Sequence, residues 1–225
     1  MTTVLLIGAS RGIGFELARQ YQEHGWRVIA TARTDEGLAR LQALGVQTLR
    51  LDVANPASNS GLAWQLDGEK IDLVIYVAGA MDRAGADTPP TRDSFDAVMH
   101  TNVMGAMQTI PQIVPMVQET QGVIACVSSV MGSLQETTSG NAALYRVSKA
   151  ALNMVVRCIQ AEHRQITVLA IHPGWVQTDM GGAQAPLTVV QSATSLRQTL
   201  GNILEQRDPQ YRGAFLNHDG TTLPW

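Results

Sequence analysis

The chain is poor in several things at once. Of its 225 residues only 16% are charged and 5% are aromatic; it holds two cysteines, and lysine occurs twice, at Lys70 and Lys149. With a net charge of -3 it offers neither a basic surface of the kind that holds nucleic acid nor a disordered acidic tail. A small, roughly neutral ligand fits such a balance better. Cys126 and Cys158 stand alone within the apolar stretches V-I-A-C-V and V-V-R-C-I, and read as small core thiols in a reducing compartment rather than as a disulfide. No apolar run approaches the roughly 18 residues that span a bilayer. The opening M-T-T-V-L-L-I-G has no positive segment and a short apolar run before Gly8, which does not read as a secretory signal. A cytoplasmic protein without membrane attachment is expected.

What is present is alternation. Short aliphatic and β-branched runs recur at 4–7, 26–31, 46–51, 71–77, 122–128, 166–171 and 214–217, separated by stretches long enough for helices. One such stretch, I-G-F-E-L-A-R-Q-Y-Q-E-H at 13–24, stops at Gly25, as a helix should. Strand, helix, strand at this spacing predicts an α/β fold: one doubly wound parallel sheet of about seven strands with helices on both faces. No linker or internal repeat interrupts it, and the first run leads into the glycine-rich turn G-A-S-R-G-I-G, so residues 1–225 are expected to form a single dinucleotide-binding domain of the Rossmann type. The nearest thing to a break, G-G-A-Q-A-P at 181–186, suggests a candidate substrate loop over 180–200.

The first strand runs into G-A-S-R-G-I-G at 8–14. Gly8, Gly12 and Gly14, with Ser10, Arg11 and Ile13 between them, permit a tight turn and a close approach of backbone to a pyrophosphate. The phosphates would sit at the start of the following helix, where amides and dipole favour anions. Arg11 lies inside this turn and Arg33 follows the second strand, where a dinucleotide site meets the adenosine ribose. An acidic residue there would suit a free 2′-hydroxyl, whereas arginine suits a 2′-phosphate. NADP(H) is therefore expected in preference to NAD(H), which stays possible. Asp52, beside Val53 after the third strand, could bond the adenine amino group or cap the next segment.

Tyr145 and Lys149 stand four apart in Y-R-V-S-K, a spacing that puts both on one face of a helix. A free tyrosine has a pKa near 10, and lowering it by about 2 to 3 units takes roughly 3 to 4 kcal/mol. A lysine ammonium and a positive nicotinamide ring could supply that, and Tyr145 would then act as the acid or base on a carbonyl or alcohol.

The motifs G-A-S-R-G-I-G at 8–14, L-D-V at 51–53, Ala78 with Gly79, Asn102, S-S-V-M-G at 128–132, Y-R-V-S-K at 145–149 and P-G-W-V-Q-T at 173–178 occur in order. Together they resemble the short-chain dehydrogenase/reductase family over nearly the whole chain. Within it, Y-R-V-S-K-A-A-L-N-M, H-P-G-W-V-Q-T-D-M-G-G and D-G-T-T-L-P-W are most similar to sniffer-type carbonyl reductases and C-factor-like bacterial members. The resemblance implies a catalytic set of Asn102, Ser129, Tyr145 and Lys149, with Asn102 anchoring a water on the proton path. Ser129 is preferred to Ser128 because the family's serine stands three before glycine, here Gly132. It further implies that Lys149 holds the nicotinamide ribose, that Thr178 bonds the carboxamide, and that Pro173, Gly174 and Val176 shape the turn beside it. Ala78 and Gly79 would border the cofactor. A small carbonyl or alcohol substrate and a homodimer formed through long helices at about 91–119 and 141–163 are implied as well.

Three departures stand out from that pattern. Ile7 replaces a frequent threonine, Tyr76 and Val77 replace paired asparagines, and a polar insert at 135–142 lengthens the interval between Ser129 and Tyr145. The first two are expected to remove polar bonds that brace the sheet. The third is expected to border the substrate mouth. His172 has no acidic partner in a matching motif and reads as structural. No His, Cys and acidic cluster has metal-ligand spacing, so no metal is expected. A dinucleotide-binding signalling or sensor protein with incidental catalysis is the alternative from another class, and a sugar-nucleotide epimerase would need a longer substrate region after Thr178.

Overall fold

Aliphatic runs become strands because they can be buried on both faces of one sheet, all but the edge strand at Gln47–Arg50, whose ends are exposed. The computed structural model describes residues 1–225: β1 (Thr3–Ile7), β2 (Arg27–Ala32), β3 (Gln47–Arg50), β4 (Leu73–Tyr76), β5 (Val123–Val127), β6 (Thr167–His172) and β7 (Phe215–Asn217). Their order is β3-β2-β1-β4-β5-β6-β7, and every pairing is parallel, as in Leu5 beside Ile29 on one side and Val74 on the other. The order reverses between β1 and β4, and the crevice at the carboxyl ends of those strands is where open sheets of this kind bind ligands.

The helices are α1 (Gly12–Glu23), α2 (Asp35–Gln42), α3 (Pro56–Asn59), α4 (Leu62–Gln65), α5 (Arg92–Met99), α6 (Gly105–Gln118), α7 (Ala143–Glu162) and α8 (Val189–Gln206). Side chains of a strand alternate between faces, and β1 shows it: Val4 and Leu6 join the core under α1 and α8, while Leu5 and Ile7 join the core under α6 and α7. The seven strands and the two-sided helix cover agree with the sequence expectation.

Three differences from that expectation have physical causes. The helix expected over about 91–119 is two helices, α5 and α6, joined by one widened turn at His100–Met104 with the hydrogen-bond spacing of a π-helix. The candidate loop over 180–200 gives way at Val189, near the helix start expected at about 187, because Thr188 and Gln191 form a reciprocal capping box that starts α8. Cys158 is exposed rather than buried like Cys126, since it lies one turn beyond exposed Met154 on the outer face of α7.

Candidate active site

The glycine turn is built by backbone contact. Gly8 has φ +87°, and a Cβ there would lie 2.8 Å from Ala78; at Gly14 a Cβ would lie 2.7 Å from the Gly8 carbonyl. The turn therefore presses β1, the start of α1 and the Ala78 segment together with no side chain between them. Helices α2, α5 and α8 are each capped by a threonine hydroxyl. At α1 the cap position is Arg11, whose side chain makes no capping bond, so the helix start keeps its amides for a phosphate. Ser10 packs against Gly37 of α2, and Gly12 faces the Thr178 methyl, where a Cβ would sit at 3.5 Å.

The arginines sit as follows. Arg33 is exposed at the end of β2, and its carbonyl accepts a bond of 3.0 Å from Arg50, which also pairs with Asp35. Arg50 thus adds a second guanidinium to the corner expected to meet the adenosine ribose, 17 residues from Arg33 in sequence. Arg11 is joined to Asp179 across 2.7 Å in an exposed ion pair, which ties the phosphate turn to the segment after Thr178. Asp52 accepts from the Ala54 amide at 3.1 Å in the turn before α3, which is capped by Asn55, with Val53 buried beside Asp52.

Three elements bring the catalytic candidates together. Tyr145 and Lys149 lie on α7, and both are buried. The Lys149 ammonium donates to the Val127 carbonyl at 2.8 Å and lies 5.6 Å from the centre of the Tyr145 ring. That one bond leaves two of its three N–H donors for other acceptors. Ser129 caps the turn after β5, accepting from Met131 at 3.1 Å, and it acts on the buried Tyr145 phenol by lowering its pKa. Ser128, by contrast, donates to Asn153 at 2.6 Å. Asn102 sits in the widened turn; it accepts from the Ala80 amide at 2.7 Å and donates to the Ala80 carbonyl and to Ser148, each at 2.8 Å.

A Cβ at Gly79 would stand 3.6 Å from the Asn102 side-chain oxygen and 3.7 Å from the Lys149 nitrogen, so a bare backbone lies directly over both groups. Burial pushes the Tyr145 phenol up to about 12, partly opposed by the Ser129 hydrogen bond, and pulls Lys149 down to about 8. Burial and nearby His218 bring His172 down to about 4. Its ring is therefore neutral at pH 7.

On the far side, β6 delivers the P-G-W-V-Q-T turn to the same edge. The Pro173 carbonyl accepts from Ser192 at 2.6 Å; Gly174 has φ +84°, and a Cβ there would collide with Leu187 and lie 3.0 Å from the His218 ring; Val176 pairs with Leu187 in an isolated parallel bridge. The Thr178 hydroxyl accepts from the Gly181 amide at 3.0 Å. Sequence reasoning missed Ser148, Arg50 and Asp179. Only Ser148 left a signal, lying one turn from Tyr145 on the same helix face.

These residues fit a dinucleotide. The backbone cradle would be filled by any Cβ, and the buried ammonium keeps donors free beside it. No three His, Cys, Asp or Glu side chains converge on a point that could hold a metal ion.

Comparison with known proteins follows the same lines. A family model described as short chain dehydrogenase matches residues 2–186. The chain is 35% identical to 1-hydroxy-2-glutathionyl-2-methyl-3-butene dehydrogenase of Rhodococcus sp. strain AD45, over 100% of both chains. It is 39% identical over 130 residues to C-signal of Myxococcus xanthus, a match that covers 55% of this chain and 74% of that one. A carbonyl reductase from Pseudomonas aeruginosa PAO1 in complex with NADP superposes with a TM-score of 0.86 at 32% identity, over 100% of both chains.

Proposed function

Because the chain belongs to the short-chain dehydrogenase family, we propose that it transfers hydride between NADP(H) and a carbonyl or secondary alcohol, with Tyr145 as general acid and base. The observation that carries this reading is the buried Tyr145 and Lys149 pair on α7, with the Lys149 nitrogen 5.6 Å from the centre of the Tyr145 ring. The nicotinamide, when bound, supplies the hydride.

The residues of this chain do the rest. Ser129 donates to the substrate oxygen and stabilises charge that develops there. Tyr145 gives that oxygen its proton, which with the hydride completes the alcohol. Lys149 offers its ammonium to the phenolate left behind and its free donors to the ribose hydroxyls. Asn102 holds the polar path behind Lys149. A phenol held near 12 keeps its proton at neutral pH, which suits reduction; running the reverse reaction from a phenolate at pH 7 would cost about 7 kcal/mol without a compensating positive charge.

Arg33, Arg50 and Arg11 favour NADP(H) through charge-assisted bonds to the 2′-phosphate. The segment after Met180 carries Ala183, Ala185, Leu187 and Val190, which suits an aldehyde, ketone or quinone without a large charged group. Exposed Met107, Val147 and Met154 on α6 and α7 support pairing of two copies through those helices. No helix is long and apolar enough to cross a membrane.

The test is consumption of NADPH or NADH against a panel of aldehydes, ketones and quinones, with Arg33→Ala alongside the wild type. We expect turnover with NADPH, a weaker rate with NADH, and a preference narrowed about tenfold or more in Arg33→Ala, the worth of a charge-assisted hydrogen bond. The partial match to C-signal favours one other reading, a signalling protein that binds the dinucleotide. Tight NADPH binding with no turnover of any panel member would support it.

A further inference from the structure

Tyr76 was expected to mark a loss, since an aromatic residue stands where paired asparagines would brace the sheet. The structure gives its hydroxyl a different partner. Tyr76 ends β4, is fully buried, and donates at 2.8 Å to the carbonyl of Thr101, inside the widened turn that carries Asn102. We propose that Tyr76 is a positioning residue: by fixing the Thr101 carbonyl to the central strand, it holds the widened turn open and sets Asn102 beside the Tyr145 and Lys149 pair. The catalytic part of this inference rests on the reading of the site as a reductase.

A π-type turn is an uncommon arrangement inside a long helix and persists where something outside the helix favours it. Here the donor comes from the most rigid part of the molecule, since Tyr76 is paired with Ile7 of β1 and Cys126 of β5. The fit around the phenol is close. A Cβ at Gly105 would fall 2.7 Å from the Tyr76 oxygen and 2.9 Å from Val53, so the start of α6 approaches the strand ends as only glycine allows.

From Thr101 the connection continues through side chains. Asn102 bonds both backbone groups of Ala80 and donates to Ser148, and the Ser148 hydroxyl donates to the Tyr145 carbonyl at 2.7 Å. One chain of hydrogen bonds thus runs from β4 through the widened turn to the turn of α7 that bears Tyr145. Both asparagine bonds to Ala80 also fix the segment beside Gly79, which lies over Lys149.

The competing account is that Tyr76 is a core aromatic whose hydroxyl found an acceptor, as buried tyrosines do. Tyr76→Phe separates the two, because it removes one oxygen and keeps the ring. Amide hydrogen exchange, NADPH affinity and steady-state kinetics would be measured on the full-length variant beside wild type and Asn102→Ala. We expect exchange to rise about tenfold at Ala80 and through 100–105, with the same pattern in Asn102→Ala, while the amides of β4 and β5 keep their protection. We expect kcat to fall about tenfold, the loss of one buried hydrogen bond, with NADPH affinity and KM within about twofold and the alkaline limb of the kcat profile moved as in Asn102→Ala.

Exchange raised uniformly across β4 and β5, or unchanged at Ala80 and 100–105, would overturn the proposal. The exchange measurement decides it even if the wild type turns over no panel substrate, so failure of the reductase reading is seen separately. Should Tyr76→Phe fail to fold, Gly105→Ala displaces the same hydroxyl from the other side, and the same local exchange pattern is expected; its absence in a folded Gly105→Ala protein would count against the proposal.

Discussion

The two ends of the ligand crevice are built from different materials. Below β1 and β2 the cradle is backbone: Gly8 against Ala78, Gly14 against the Gly8 carbonyl, and an uncapped helix start at Arg11. Beyond β4 the site is side chains gathered from a widened turn, the end of β5 and α7, namely Asn102, Ser129, Tyr145 and Lys149. A backbone site cannot lose a functional atom by substitution; it can only be filled. A side-chain site can be silenced by one atom while the fold stands. The molecule should therefore fail in opposite ways at its two ends.

The largest effect is expected at the backbone end. Gly8→Val adds a branched side chain where Ala78 leaves no room and where φ is +87°, so fold and cofactor site should fail together. We expect a loss of about 3 kcal/mol or more, roughly 6 °C or more in melting temperature for a domain of this size, with NADPH affinity down at least a hundredfold. A stable Gly8→Val protein that binds NADPH normally would remove the contrast.

A smaller effect sharpens the other end. Lys149 is pulled down to about 8 by burial, whereas Tyr145 is pushed up to about 12. As pH rises through 8 the ammonium that supports the phenolate is lost while the acid still holds its proton. The kcat for reduction should therefore fall on the alkaline side with a midpoint near pH 8, approaching tenfold per unit, with a much flatter profile for NADPH binding through the glycine turn. A profile level up to pH 10 would mean that the charge of Lys149 does not matter to the proton transfer.

The same contrast explains what could be read before the fold was seen. The backbone end was legible because its information is contiguous: seven residues from Gly8 to Gly14, directly after a strand and opening a helix, state the turn, the close approach and the phosphate site. The strands were legible within one or two residues because burial on both faces leaves aliphatic runs; only the half-exposed edge strand at Gln47–Arg50 departs from that rule. At the side-chain end the identities of Tyr145, Lys149, Ser129 and Asn102 came from ordered motifs, and so did the choice of Ser129 over Ser128.

What holds those side chains in place was not legible. One extra residue in a turn leaves hydrophobic periodicity almost unchanged, so the widened turn at 100–104 was hidden within a longer helical pattern. Tyr76 and Thr101 are 25 residues apart, and Arg11 and Asp179 are 168 apart; no local pattern joins such pairs. Cys158 looked buried because its neighbours are apolar, yet the face it occupies depends on how α7 is rotated against the sheet.

The central claim is that the two ends are separable, and Tyr145→Phe tests it most directly, with NADPH affinity by fluorescence titration and turnover measured on the same preparation. The account predicts that NADPH binds within about twofold of wild type while turnover falls at least a hundredfold, as loss of a general acid implies. Turnover retained in Tyr145→Phe at a tenth of the wild-type rate or more would contradict it.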